Sequence, residues 1–251
     1  MDRAPPNIFS RHQATAKWAR SRSRQRQPDA ADYIVETIAG DLIERLDFMR
    51  FEPKNSLVVG DSSGTLPDWL RSKGSAGHVG LLGEFEEEQP GPREMFDLIV
   101  HLLGLGHVND LPGALVHARN ALTKGGLFVA AFPGAGSLAT LRAIMLEADG
   151  DRPAARMHPL VDSQAATGLL QRAGFARQVV DSFPIKVRYP SITRMISDLR
   201  DQGLTRSLTS TVPPLTRASL LRAEEAFDAL RDDQGKVTET FEILVLTGWR
   251  D

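Results

Sequence analysis

The turn at Gly60–Gly64 combines residue types and spacing that suit cofactor chemistry. The apolar run Ser56–Gly60 predicts a short buried strand, and the residues after Gly64 predict a helix. Glycines allow the backbone to approach a ligand closely, and a helix N-terminus offers unpaired N–H groups. The pattern therefore predicts a nucleotide-type cofactor site on this turn, made of Gly60, Asp61, Ser62 and Gly64.

Three other polar side chains accompany the next two predicted strands. Glu84 follows the apolar run His78–Leu82 and lies 24 residues beyond Gly60, close to the separation of about 20 at which a carboxylate binds ribose hydroxyls. His101 and His107 lie at the carboxyl end of the next strand, where α/β proteins form their sites. Each has an alternative interpretation. Further acids after Glu84 suggest a solvated loop, and both histidines suit an ordinary strand end.

The elements that must position these residues follow an α/β pattern. The run Phe96–Leu103 predicts a strand, the following helix has Leu111 and Leu115 on its apolar face, and Leu127–Phe132 predicts a further strand. A strand, a helix and a strand at this spacing predict a right-handed βαβ unit in a parallel sheet. The last segment, Val237–Trp249, predicts an antiparallel edge strand.

Three segments also carry a family resemblance. The string FDLIV, a loop ending in HVNDLPGAL and the string ALTKGGLFVAA resemble the fourth strand, fourth helix and fifth strand of class I S-adenosylmethionine (SAM) methyltransferases. Within that superfamily the chain is similar to malonyl-acyl-carrier-protein O-methyltransferases and to the arginine-hydroxylase assembly factor of respiratory complex I. The resemblance implies a Rossmann-like methyltransferase fold, SAM as cofactor, and a carrier protein or another protein as partner.

The resemblance implies roles for the candidate residues on the cofactor side. Gly60, Asp61 and Gly64 would hold the methionine end of SAM, Glu84 would bind its ribose, and His101 would line the transfer site.

On the substrate side, the resemblance places His107 and a second glycine turn, Gly134 and Gly136. That turn also matches a dinucleotide fingerprint by pattern, but it follows the fifth strand of the family's fold rather than opening the fold. The polar loop Asp149–Pro159 could flank the entrance for substrate.

The cofactor segments depart from the family pattern at two residues and in the length of one linker. Val58 stands where the family has an acid, and Ser62 replaces its middle glycine, so that a Cβ crowds the turn. Only Phe85–Met95 separates Glu84 from the next strand, and this linker contains Pro90, Gly91 and Pro92. Because a crossover to a parallel strand needs a dozen or more residues, we predict that the family's third strand is missing.

The N-terminal region predicts a basic arm on an acidic body. Residues 1–27 contain one acid, Asp2, and seven basic residues: Arg3, Arg11, Lys17, Arg20, Arg22, Arg24 and Arg26. We divide the chain into this arm, residues 1–28, and a methyltransferase-like domain, residues 29–251. The arm could contact a partner or fold back on the acidic body. Since Trp18 is the only Phe, Tyr or Trp between the basic residues Arg11 and Arg26, nucleic-acid binding is disfavoured.

Composition limits the remaining classes. With 251 residues, of which 41% are hydrophobic, the chain can build one large core. It has no cysteine, no apolar run long enough to span a bilayer and no secretory h-region, so we expect a cytoplasmic protein. Its six histidines show no metal-binding spacing.

Two functions remain open from the sequence. The first is a SAM-dependent methyltransferase that acts on a carrier-protein thioester or on a protein side chain, with weakened cofactor binding. The second is a non-catalytic pseudoenzyme that keeps the fold and serves as an assembly factor or partner subunit.

Overall fold

The computed structural model describes residues 7–251, which form eight α-helices and six strands. The helices are α1 (Arg11–Arg24), α2 (Tyr33–Phe48), α3 (Thr65–Ser72), α4 (Leu111–Ala121), α5 (Ala139–Asp149), α6 (Ser163–Arg172), α7 (Ile192–Asp201) and α8 (Arg217–Asp228). The strands are β1 (Asn55–Val59), β2 (Ala76–Gly80), β3 (Phe96–Leu102), β4 (Leu122–Pro133), β5 (Ala176–Tyr189) and β6 (Val237–Trp249), and a short 3-10 helix spans Gly104–His107.

All six strands form one sheet in the order β2-β1-β3-β4-β6-β5. Strands β1 to β4 run parallel to one another, and β6 is antiparallel to both β4 and β5. The prediction of a mostly parallel α/β sheet with an antiparallel C-terminal strand is confirmed. The position predicted for that strand is wrong, because β6 lies inside the sheet and β5 forms the edge. Consecutive buried residues, Ile243–Leu246, suit an interior strand, whereas β5 alternates between exposed and half-buried residues.

The linker Leu81–Met95, which joins β2 to β3, contains no strand or helix within the described chain. β2 is therefore an edge strand, and its first four residues are exposed. This agrees with the prediction that the third strand of the family pattern is missing.

Amphipathic helices cover the sheet as their sequence periodicity predicts. The apolar stripe of α2, from Val35 through Ile38 and Leu42 to Leu46, is almost completely buried. Helix α4 begins at the Asp110 cap, whose side chain accepts a hydrogen bond from the Gly113 N–H. It ends at Ala121, because the backbone becomes extended at Leu122.

The described part of the arm folds back onto the domain. Helix α1 buries Trp18 against Gly203, where a Cβ atom would lie only 2.1 Å from the indole ring. Arg24 forms an ion pair with the buried Asp201 at 2.5 Å, and Arg22 pairs with Glu84 at 2.5 Å. Packing and charge thus make α1 a lid over the carboxyl end of the first strands.

No helix among residues 7–251 has the length and apolarity needed to cross a membrane.

Candidate functional site

Gly60 brings the end of β1 against the end of β3. Its φ angle is +89°, and a Cβ atom at this position would lie 2.2 Å from the carbonyl oxygen of Leu102. Both the backbone conformation and the space therefore require glycine. Gly64 also has a positive φ, +77°, but a Cβ atom there would meet nothing within 4 Å.

The Asp61 carboxylate is buried and caps helix α3 from inside the turn. One oxygen accepts from the N–H groups of Ser63 (2.9 Å) and Gly64 (3.1 Å), and the other accepts from the Leu66 N–H (2.8 Å). The Thr65 N–H donates to the Ser63 hydroxyl at 3.2 Å. The N–H groups at the start of α3 are therefore hydrogen-bonded to side chains of the same turn. The sequence instead predicted that these groups would be available to a ligand.

A cavity of about 460 Å³, lined by both polar and apolar residues, lies beside this turn. Gly60, Asp61 and Ser62 line it, as predicted, and Leu103 contributes from the end of β3. The opposite wall comes from helix α1 and the two residues that follow it, through Trp18, Ser21, Arg22, Gln25 and Arg26. Gly64 stands beside the cavity as the N-cap residue of α3.

Glu84 and His101 line a different, mainly apolar cavity of about 510 Å³. Glu84 is already paired with Arg22, whose guanidinium also donates to the Leu82 carbonyl at 2.6 Å. The Nε2 atom of His101, which is buried, lies 3.2 Å from a carboxylate oxygen of Glu87. The structure thus places Glu84, predicted to bind the ribose, and His101, predicted to line the transfer site, in a cavity other than the one beside the Gly60 turn.

The acidic run Glu84–Glu88 is tied to its surroundings and is not a freely solvated loop. Glu86 pairs with Arg11, and Glu88 accepts hydrogen bonds from the backbone N–H groups of Asn109 and Asp110. Together with the Glu84 and Glu87 contacts, these bonds hold α1, β3 and the start of α4 to one loop.

His107 lines a third cavity, of about 170 Å³, on the substrate side. Apolar residues from α5, α7 and the strand ends form most of its wall, and no Asp or Glu within residues 7–251 lines it. Two leucines in the wall, the buried Leu103 and the half-buried Leu138, have φ angles of +64° and +58°. A bulky residue with positive φ is strained, and such strain concentrates at functional sites.

Aromatic and basic side chains close one end of this cavity. The His107 and His158 rings lie 4.5 Å apart between centroids, with Trp18 at 5.8 Å from His107 and Phe9 at 5.2 Å from His158. Nε2 of His158 accepts from the Ser207 N–H at 2.8 Å, so this nitrogen carries no proton.

The two histidines and the neighbouring Lys17 have lowered pKa values. Burial, Lys17 and Arg206 lower the pKa of His158 to about 3. Burial, Lys17 and His158 hold the pKa of His107 well below its usual value. Burial alone lowers the pKa of Lys17 to about 7. The two histidines therefore resist protonation in the folded protein, whereas a pKa of about 7 leaves Lys17 partly protonated at neutral pH.

The second glycine turn packs against strand β6. A Cβ atom at Gly134 would lie 2.9 Å from the Leu244 side chain, and one at Gly136 would contact Glu242. Pro133 and Leu138, on either side of the turn, line the apolar cavity. The two glycines, which the sequence predicted to lie on the substrate side, do not themselves line that cavity.

Sequence reasoning missed Lys17, Leu103 and His158. The loop Asp149–Pro159, predicted to flank the substrate entrance, contains His158 and was the one useful signal. No pattern marks Lys17 as buried or Leu103 as strained. In the described part of the chain, no group of three or more His, Asp or Glu side chains is placed to bind a metal.

Comparisons with known proteins agree with this geometry. A model of the methyltransferase domain family matches residues 22–179. The mitochondrial arginine-hydroxylase NDUFAF5 of Rattus norvegicus is 29% identical over 271 residues, which cover 97% of this chain and 78% of the relative. Malonyl-[acyl-carrier protein] O-methyltransferase 1 of Coxiella burnetii is 25% identical over 233 residues, which cover 86% of this chain and 80% of the relative.

The fold is also similar to that of a solved structure. A candidate methyltransferase from Bacillus halodurans superposes with a TM-score of 0.51 at 13% identity, covering 82% of this chain and 97% of the other. At that identity the similarity concerns the fold alone.

Proposed function

Because this chain belongs to the methyltransferase domain family, we propose that it is a SAM-dependent methyltransferase with weakened cofactor binding. SAM would enter the Gly60 cavity and supply a methyl group bound to a sulfonium. The acceptor would enter the apolar cavity lined by His107 and His158. Methyl transfer depends mainly on holding donor and acceptor in line, so the relative position of the two cavities is the property that matters.

Leu103 is the observation that carries this proposal. Its side chain lines both the Gly60 cavity and the His107 cavity, so the two spaces meet at this residue. Its N–H donates to the Ala131 carbonyl at 2.8 Å, which fixes the strained backbone between β3 and β4. A strained residue held at the boundary of two cavities is what a site joining a cofactor to an acceptor requires.

The residues present fit the two ends of SAM unequally. At the methionine end, Gly60 permits close approach and the Gly60 cavity provides space. At the nucleoside end, Glu84 is engaged by Arg22, and the linker Leu81–Met95 adds no further strand. We therefore expect weak SAM binding that requires Arg22 to release Glu84.

The acceptor cavity favours a carboxyl-bearing group over a cationic one. Arg156, Arg206 and the two histidines line it, whereas no acid from the described residues does. A guanidinium acceptor would meet only positive or neutral groups there. Of the two acceptors open from the sequence, we propose a carboxyl-bearing acyl group delivered by a carrier protein. The printed name of the Coxiella burnetii relative supports this choice.

A non-catalytic role is the second candidate, and the Arg22–Glu84 pair favours it. If this pair never opens, the fold would act through its surface as an assembly factor or partner subunit.

Thermal unfolding with SAM and with S-adenosylhomocysteine separates the two candidates. A ligand present at a hundred times its dissociation constant stabilises the folded state by about 2.7 kcal/mol. We expect both compounds, at millimolar concentration, to raise the melting temperature, and a Gly60→Ala variant to lose that response. A flat response in the unmodified protein would overturn the methyltransferase proposal and leave the non-catalytic role.

A further inference from the structure

Lys17 is a buried amine without a hydrogen-bond partner. It lies in the middle of α1, its side chain is almost completely buried, and its Nζ atom has no acceptor among residues 7–251. The nearest described interaction is with the Trp18 ring, whose centroid is 4.2 Å from Nζ. A buried amine normally has a carboxylate or carbonyl partner, because desolvation without one is costly.

The groups around Lys17 do not compensate its charge. The Trp18 ring, over which Nζ of Lys17 lies, is 5.8 Å from the His107 ring, and the His107 ring is 4.5 Å from that of His158. None of these rings carries a negative charge. The Nδ1 atom of His107 is also buried without a partner in the described chain. An orphaned donor and an orphaned ring nitrogen therefore stand at one end of the apolar cavity.

We propose that Lys17 is a specificity-determining residue, which makes the His107 cavity select an acceptor with an anionic headgroup. It acts through the electrostatic field across the histidine rings, since Lys17 itself does not line the cavity. This inference rests on the proposed function only in placing the acceptor in that cavity. Arg156 contributes less to this selection, because its guanidinium already binds Asp149 with two contacts of 2.8 and 3.0 Å from Nε.

Two hydrogen bonds between helix α1 and the domain fix the position of Lys17. Helix α1 is fixed by the Thr15 hydroxyl, which donates to the Gly83 carbonyl at 3.1 Å, and by the Ser21 hydroxyl, which donates to the Asp201 carbonyl at 2.6 Å. These two bonds lie on either side of Lys17 in the sequence. They hold the Lys17 amine beside the rings of Trp18, His107 and His158. Its charge therefore lies at the end of the His107 cavity where we place the acceptor.

Butyrate and butyramide are matched probes for this proposal. They have the same number of heavy atoms, about the size of the benzene that a 150 Å³ cavity accommodates, and differ in charge. Titration calorimetry without SAM would measure both dissociation constants. We expect the unmodified protein to bind butyrate about tenfold more tightly than butyramide, as expected for one charge acting at this range in a partly buried site.

Substitution of Lys17 should remove that preference while stabilising the fold. In Lys17→Met the butyrate-to-butyramide ratio should approach one and the melting temperature should rise, because an unpaired buried amine is replaced by an apolar chain of similar length. Lys17→Arg should keep the preference. Lys73→Met is the matched control, since Lys73 also lies over an indole ring, that of Trp69 at 5.3 Å, but at the surface.

The outcomes separate this inference from the proposed function. A preference that Lys17→Met retains, or an unmodified protein that binds the two probes equally or binds neither, would overturn the role of Lys17. A flat SAM response together with a Lys17-dependent butyrate preference would overturn the methyltransferase and leave an anion site.

Discussion

The two cavities that meet at Leu103 are built in opposite ways. Backbone constraints form the Gly60 cavity: a glycine that no other residue can replace and a carboxylate that caps its own helix. The His107 cavity is apolar, and side chains from segments far apart in the sequence form it around buried bases. Damage to the first should therefore disturb the fold, whereas damage to the second should change mainly selectivity and pH dependence.

Gly60→Ala gives the sharpest test of this contrast. The new Cβ would clash with the Leu102 carbonyl, which cannot move without disturbing β3, and the positive φ would be strained. We expect a loss of more than about 3 kcal/mol in the free energy of unfolding, measured with urea. Gly64→Ala, which has a similar φ and open space, should cost about 1 kcal/mol. Equal costs would show that backbone conformation, and not the contact with Leu102, requires glycine at position 60.

Asp61→Asn tests whether the turn depends on its internal acceptor. The amide can replace one accepting oxygen but presents a donor to the other N–H groups, so we expect destabilisation of about 2 kcal/mol. Asp68→Asn, on the exposed face of the same helix, is the control and should cost little. If the two variants unfolded at the same urea concentration, the cap would contribute nothing measurable.

His158, which lines the His107 cavity, should make the folding stability of the protein fall in acid. Because the folded protein holds the pKa of His158 near 3, against 6.5 in the unfolded chain, the unfolded chain binds the proton more strongly. The folding stability associated with the neutral His158 is fully present above pH 6.5 and is lost as the pH falls toward 3. Between pH 6.5 and pH 5, we expect the unmodified protein to lose more stability than His158→Gln, by on the order of 1 kcal/mol. His12→Gln, at an exposed position of α1, should follow the unmodified protein, and identical pH profiles for all three would contradict the assignment.

Arg22→Gln should have the smallest effect on stability. The Arg22–Glu84 pair is partly exposed, so its loss should cost less than about 1 kcal/mol. Releasing Glu84 should increase the melting-temperature response to SAM. Arg24→Gln leaves the buried Asp201 unpaired and should destabilise the protein more without changing that response. An unchanged SAM response in Arg22→Gln would show that the pair does not compete with the cofactor.

Local patterns were sufficient for most of the fold. The stripe of α2 predicted a buried face because residues three and four apart share one side of a helix. The short linker after Glu84 predicted a missing strand because chain length limits what a crossover can contain. The interior place of β6 escaped prediction, since a buried apolar run is compatible with either position beside β4.

The candidate site was predictable only where one segment supplies it. Gly60, Asp61 and Ser62 are consecutive, so the sequence alone determined that they stand together beside a cavity. Only the tertiary structure decided that Glu84 is engaged by Arg22, that Lys17 is buried beside His107 and His158, and that Leu103 is strained between two cavities. Turn geometry depends on neighbours along the chain, whereas burial and charge pairing depend on residues that only the complete fold brings into contact.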